Sequence, residues 1–423
     1  MTYACQSLDS SLSPHAIEQA VQSAIDPNVY RHKRVLLIVP DNTRSGPIGA
    51  CFKSVYDHLG AVVSALDVLV ALGTHRPLDQ ADICRRLDIT PHDLESTYRH
   101  VGFFNHEWDR PEMLKKVGVI RRDQMRTIYD DDFVRDIPVS INRRLFDYDC
   151  FLIIGPVFPH EVVGFSGGHK YLFPGIAGPD IIDFFHWLGA RITNPIVNGN
   201  KWSPTRQVVE KAASFIDLPH ELIALVALKD QLKGIFIGSC LEAWERAADL
   251  SAQVHIRHVA KPLHTVVGIA PAMYEDLWTA GKVMYKLEPV VADGGRLIIY
   301  APHIQEVSYS HGDILRTIGY HTRDYFLANW ETYQHYPHGV IAHSTHVKGA
   351  GRYIDGKEEP RIQVVLATGL SERSCREINL GYSDPENICL DAHRYSQEQG
   401  TLLVPDAGEI LYRLSGNLCE KSE

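Results

Sequence analysis

The stretch Arg34-Val35-Leu36-Leu37-Ile38-Val39-Pro40-Asp41-Asn42-Thr43-Arg44 decides the fold. Its aliphatic run is preceded by basic residues and closed by Pro-Asp-Asn, so it reads as a buried strand that opens into a polar loop. Working outward, residues 48–58 have the pattern of a helix. A second apolar run at 61–72 ends in Gly73-Thr74-His75-Arg76-Pro77, and residues 78–87 again look helical. Phe151-Leu152-Ile153-Ile154-Gly155 is a third strong strand, and it too enters a glycine-bearing loop. Strands alternating with helices predict a mostly parallel sheet, whose ligands bind outside the carboxyl ends of the strands.

A second series follows the basic, proline-containing stretch 255–262. Short apolar runs at 265–270, 297–301, 339–342, 363–368 and 402–404 are expected as strands, and 411–419 as a terminal helix. A chain of 423 residues exceeds what one core supports. The expectation is therefore an α/β protein of two domains, 1–258 and 259–423, each a mostly parallel sheet flanked by helices.

Composition excludes several functions. The formal charge of −10, with no Lys/Arg run, would repel phosphate backbones, so no nucleic-acid partner is expected. No stretch is apolar enough to span a membrane, and the first residues lack a basic segment followed by an apolar one, so a cytoplasmic protein without a membrane partner is expected. The eight cysteines (Cys5, Cys51, Cys84, Cys150, Cys240, Cys375, Cys389, Cys419) form no CxxC pair. They indicate neither a zinc knuckle nor a disulfide framework.

Four places carry candidate chemistry. Asp41 and Arg44, three residues apart on one loop, can hold a hydroxyl and a carboxylate, because the guanidinium fork suits bidentate recognition. A solvated turn is the plainer alternative. His75, on a glycine-hinged loop beyond a strand, suits acid/base work, although a lone loop histidine is usually only a surface residue. The segment from Gly155 to Gly178 holds six glycines, both ends included, together with His160, Ser166, His169 and Lys170; Gly167 and Gly168 are among the six. Such a segment lets main-chain N–H groups approach an anion, or else it is a tight structural loop. It matches neither the phosphate-binding GxxxxGK[ST] pattern nor a GxGxxG fingerprint. His186 falls on an apolar helix with no second histidine at metal-ligand spacing, which argues against an all-protein zinc cage.

Taken together, DNTR at 41–44, GTHRP at 73–77, His160 ten residues before Lys170, the SGGxK loop with PGIAG, and His186 sixteen residues after Lys170 resemble the lactate racemase family. The resemblance continues through Lys282, Asp293-Gly294-Gly295, the segment 343–349 and Asn379-Leu380-Gly381-Tyr382. These enzymes use a nickel-pincer nucleotide to racemise or epimerise 2-hydroxy acids. The resemblance implies that Lys170 tethers the cofactor, that His186 is the protein ligand to nickel, and that the glycine loop cradles the nucleotide phosphate. It assigns His75 and His160 as the two bases. Arg44, Lys282 and Thr279 would be substrate contacts, and Asp41 would hold the cofactor's ribose or nearby groups.

The active site would lie in the cleft between a cofactor-binding catalytic domain and a C-terminal domain that supplies substrate contacts. The partners implied are a small 2-hydroxy acid and, upstream, the enzymes that make the cofactor. Protein produced without those enzymes is expected empty. The chain departs from the family at His169, where a residue without a titratable group is usual, and at Thr279, where the lactate enzymes carry glutamine. His343, Thr345 and His346 could extend the pocket toward a longer acid or be structural. A nickel-nucleotide carrier, and another metal-dependent hydroxy-acid or sugar-acid enzyme (a hydrolase or dehydratase), are the competing readings.

Overall fold

A computed structural model of the protein describes residues 2–13, 15–229 and 231–416. The chain forms two compact units. The first comprises Met1–Phe158, Phe165–Ile182 and Lys201–Val254; the second comprises Pro159–Gly164, Asp183–Asn200 and His255–Glu423. The predicted boundary was drawn once along the chain, whereas two earlier segments also belong to the second unit.

The first unit is built on seven strands: β1 (Tyr3–Gln6), β2 (Arg34–Pro40), β3 (Ala65–Ala71), β4 (Phe103–Asn105), β5 (Cys150–Pro156), β6 (His220–Leu228) and β7 (Gln231–Gly238). Their order across the sheet is β1-β7-β6-β5-β2-β3-β4. From β6 to β4 all neighbours are parallel; β7 and β1 add an antiparallel edge. In β2 every residue from Val35 onward is buried, and all of β5 is buried, which is how a parallel strand covered on both faces reads. Helices α1 (Ala16–Ala24), α2 (Ile48–Leu59) and α3 (Gln80–Leu87) lie on this unit. Ile17, Val21, Phe52 and Leu59 from α1 and α2 join Val35, Leu37 and Leu152 in one apolar core. From β2 the chain runs one way to β3 and β4, then the other way to β5 and β6. The switch between β2 and β5 is therefore where an open parallel sheet offers a crevice.

The largest sheet of the second unit has five strands, β8 (Leu263–Ile269), β9 (Val291–Ala301), β10 (Gln363–Thr368), β11 (Gly381–Tyr382) and β12 (Thr401–Val404), all parallel in the order β11-β10-β9-β8-β12. Asp293-Gly294-Gly295 falls inside β9, where Gly294 takes φ 74° and the ladder with β8 shifts register.

Two predicted elements are overturned. Residues 339–342 belong to a helix, His338–Lys348, not a strand. Every residue from Val340 to Val347 is buried and the polar residues 343–346 are consecutive, so no exposed polar face betrays a helical period, and a short apolar run alone cannot tell strand from buried helix. The predicted terminal helix is a strand over Leu411–Leu414, because it finds a parallel partner in Ile256–Val259. The remainder of that prediction, including Cys419, lies outside the described residues. Among the described residues no helix is long and apolar enough to cross a membrane, and no cysteine is in a disulfide.

Candidate active site

In the first unit, the loops beyond β2 and β3 bring Asp41 and His75 together. His75 Nδ1 and Asp41 Oδ2 are 2.5 Å apart, and Asp41 Oδ1 accepts from the Thr43 amide at 3.1 Å and hydroxyl at 2.7 Å. Burial by itself would raise the Asp41 pKa, but His75, Arg44 and the Thr43 hydroxyl outweigh it and hold the carboxyl well below the usual carboxylate range. An ionised Asp41 only accepts, so His75 must donate from Nδ1, and in the neutral ring Nε2 is left with the lone pair of a base. His75 keeps partial exposure, whereas Asp41 is buried.

Sequence reading missed what holds this loop. The guanidinium of Arg86, on α3, donates to the carbonyls of Asp41 at 2.9 Å, Arg44 at 2.6 Å and Gly46 at 3.2 Å. Arg44 itself lies over the Phe158 ring, 5.4 Å from its centroid.

The glycine segment is tightly packed. Ser166 is buried; its hydroxyl donates to Pro156 O and accepts from the Phe158 amide. Gly167 and Gly168 have φ 83° and 61°, and a Cβ on them would come within 2.5 Å of Val157 and 2.7 Å of Arg206. Their backbone conformation and this close approach both demand glycine. Lys170 follows on a 3-10 turn, Gly168–Tyr171, with its side chain half-buried. The aromatic ring of Tyr171 fills the space beside Gly155, where a Cβ would lie 2.3 Å from it. His169 turns toward Glu210 and His220, at 2.6 and 3.0 Å.

In the second unit, His160 is buried, its Nδ1 3.1 Å from the Val162 amide and 3.5 Å from Glu161 Oε2. The neutral ring accepts from that amide, and Glu161 is the nearby counter-charge once the ring is protonated. His186 lies on the helix α4 (Pro179–Ile192), half-buried and against Phe185. With His346 and His311 it adds to burial in pushing His343 well below the ordinary histidine pKa. His343 stacks on Trp278 at 4.0 Å and exchanges hydrogen bonds with the hydroxyls of Tyr285 and Tyr320, aromatic neighbours that sequence reading did not identify.

Lys282 sits on the helix Leu277–Leu287 with Nζ 4.7 Å from the Tyr274 ring centroid. On the same helix Thr279 caps the N-terminus, its hydroxyl donating to Asp276 at 2.7 Å while its amide donates to the same carboxylate at 2.9 Å. Thr279 thus shares a capping box with Asp276, the N-cap residue of this helix. A cavity of about 70 Å³ in this unit is lined by residues such as Asn194, Glu288 and Arg323, and by Thr345 and His346 from the segment that the sequence offers as an extension of the pocket.

The residues suit the implied cofactor in kind. A nickel ion whose other donors come from a nucleotide needs one imidazole, and His186 offers a half-buried one; an amide or thioamide tether needs one amine, and Lys170 offers it.

Residues 9–195 match the family model described as the lactate racemase N-terminal domain. A curated lactate racemase from Thermoanaerobacterium thermosaccharolyticum is 23% identical over 287 residues, 66% of this chain and 61% of that protein. Less than two thirds of the relative's length is thus matched. Among solved structures, a protein from Thermotoga maritima is 31% identical with a TM-score of 0.88, covering 97% of this chain and 100% of its own. The lactate racemase apoprotein from T. thermosaccharolyticum superposes with a TM-score of 0.70 at 16% identity, covering 96% and 94%, a likeness of fold.

Proposed function

We propose, from the match of residues 9–195 to the lactate racemase N-terminal domain, that the chain is a member of that family and inverts C2 of a 2-hydroxy acid with His75 and His160 as the acid/base pair. When bound, a nickel-pincer nucleotide would accept the C2 hydride and return it, the step that side chains cannot perform. His186 would hold the nickel and Lys170 would anchor the nucleotide, with Ser166, Gly167 and Gly168 shaping the turn that carries the lysine.

His75 Nε2 removes the substrate hydroxyl proton as C2 becomes planar. The planar 2-keto acid can present either face, and His160, with Glu161 as counter-charge, exchanges the proton on the opposite side. Arg44 and Lys282 neutralise the carboxylate. Asp41 acts through His75, holding its tautomer, and its remaining lone pairs accept from the cofactor's ribose.

The observation that carries the proposal is the Asp41–His75 pair, set at the carboxyl ends of β2 and β3 in a segment matched by the family model. The test is co-expression with the cofactor-forming enzymes, followed by intact-mass measurement and by C2 configuration across a panel of 2-hydroxy acids. A mass increment lost in Lys170→Ala and inversion lost in His75→Ala are expected. A loaded protein that inverts no member of the panel overturns the reading.

A further inference from the structure

His169, which departs from the family's pattern, sits in a second cluster of donors within the first unit. His169 lies on the 3-10 turn Gly168–Tyr171, His220 opens β6, and Cys240 opens the helix Cys240–His255. One ligand atom from each of the three lies within 4.8 Å of the others. The two Nε2 atoms are 3.0 Å apart.

The opposite nitrogens decide what this means. His220 Nδ1 lies 2.7 Å from the Leu218 carbonyl, so it must donate there. His169 Nδ1 lies 2.6 Å from Glu210 Oε2. That carboxylate is paired with Arg206 at 2.7 Å, so His169 Nδ1 donates as well. With both Nδ1 atoms protonated, two neutral rings would aim the lone pairs of their Nε2 atoms at each other across 3.0 Å, beside a cysteine sulfur. Something positive belongs between them. An N–H to carboxylate or to backbone carbonyl on the far side of each ring is also the arrangement that orients histidines bound to a metal.

We propose that His169, His220 and Cys240 form an all-protein site for a thiophilic divalent ion, zinc by its donor set, distinct from the nickel site assigned to His186. Two imidazoles and one thiolate leave a fourth position of a tetrahedron to water. Zinc–nitrogen and zinc–sulfur bonds of about 2.0–2.3 Å put tetrahedral donors about 3.3–3.6 Å apart, so the side chains need to shift only slightly to accept the ion. Binding displaces to solvent the protons held on the ligating atoms and joins three elements from distant parts of the sequence, one of which carries Lys170 at the next residue.

Cobalt reports this chemistry without any racemase assay. Untagged full-length protein, made without the cofactor-forming enzymes and stripped with a chelator, is titrated with Co²⁺ and then Zn²⁺. One equivalent of cobalt is expected to give a thiolate charge-transfer band and tetrahedral visible bands, both removed by zinc. Cys240→Ser should lose the charge-transfer band, and His220→Asn should weaken binding by about 10–100-fold. Far-UV circular dichroism and the melting temperature of each metal-free variant confirm folding; zinc should raise the melting temperature of the parent but not of Cys240→Ser. No charge-transfer band in the folded parent overturns the proposal, as does a band that survives Cys240→Ser. Alkylation of Cys240 at one rate with and without zinc also overturns it. Because the cofactor is left out, failure here leaves the racemase reading untouched, and the converse holds.

Discussion

Asp41 and His75 show what a single side chain can be asked to do. Neither loop contains its own partner; they meet because β2 and β3 are adjacent parallel strands whose ends lie side by side. Replacing the carboxylate by an amide keeps the size but leaves one acceptor oxygen for two sides; with that oxygen on the Thr43 amide and hydroxyl, an NH2 faces His75 Nδ1 and no longer fixes its tautomer. Asp41→Asn is expected to lower kcat by about a hundredfold with little change in KM, in the range that positioned acid/base groups supply. Because the folded pKa of Asp41 is depressed, its stabilising contribution is present above the unfolded carboxylate pKa of about 3.9 and fades as pH falls toward the folded value. Urea unfolding should therefore show the gap between parent and Asp41→Asn wide at pH 7 and narrowing below about pH 4. A gap that widens in acid would contradict this. The sequence shows His169 as an oddity beside Lys170, but its partners lie 41, 51 and 71 positions away, with no local spacing to announce them.

Elements were readable wherever their burial is uneven or their ends are punctuated. Pro40 and Gly73 close β2 and β3, and α2 shows a clear apolar stripe of Ile48, Cys51, Phe52, Val55 and Leu59. The helix His338–Lys348 was not readable, because it is buried all round, and the strand Leu411–Leu414 was not, because its partner precedes it by 155 residues. The way α3 serves the site is equally non-local. One arginine on it satisfies three carbonyls of the Asp41–Gly46 loop, so Arg86→Ala strips donors from all three. A loss of about 1–3 kcal/mol in denaturant unfolding is expected, with a fall in kcat/KM that Arg86→Lys, offering one charged point, restores only in part. An unchanged unfolding midpoint in Arg86→Ala would show that the clasp carries no stability.

At the scale of the whole molecule, an α/β protein with two largely parallel sheets was legible from alternating apolar runs. The interleaving of its units was not, since nothing in a local pattern says which sheet a segment joins. Each crossing, at 158/159, 164/165, 182/183, 200/201 and 254/255, passes the chain between units. A fragment of residues 1–258 therefore carries Pro159–Gly164 and Asp183–Asn200 without the rest of the second unit. Trp187, fully buried and stacked on Trp330 at 5.1 Å, would be stripped in that fragment. The fragment is expected to aggregate or to bind a hydrophobic dye, where the intact chain does neither. A soluble, cooperatively melting fragment would show that the first unit tolerates these segments alone.

The same interleaving sets a timetable for the newborn chain. Synthesis runs from the amino end at roughly 5–20 residues per second, and Trp330 follows Trp187 by 143 residues (330 − 187). For roughly 7–29 s on the ribosome, an apolar helical turn waits for a companion not yet made. That interval is when a chaperone has the most to hold.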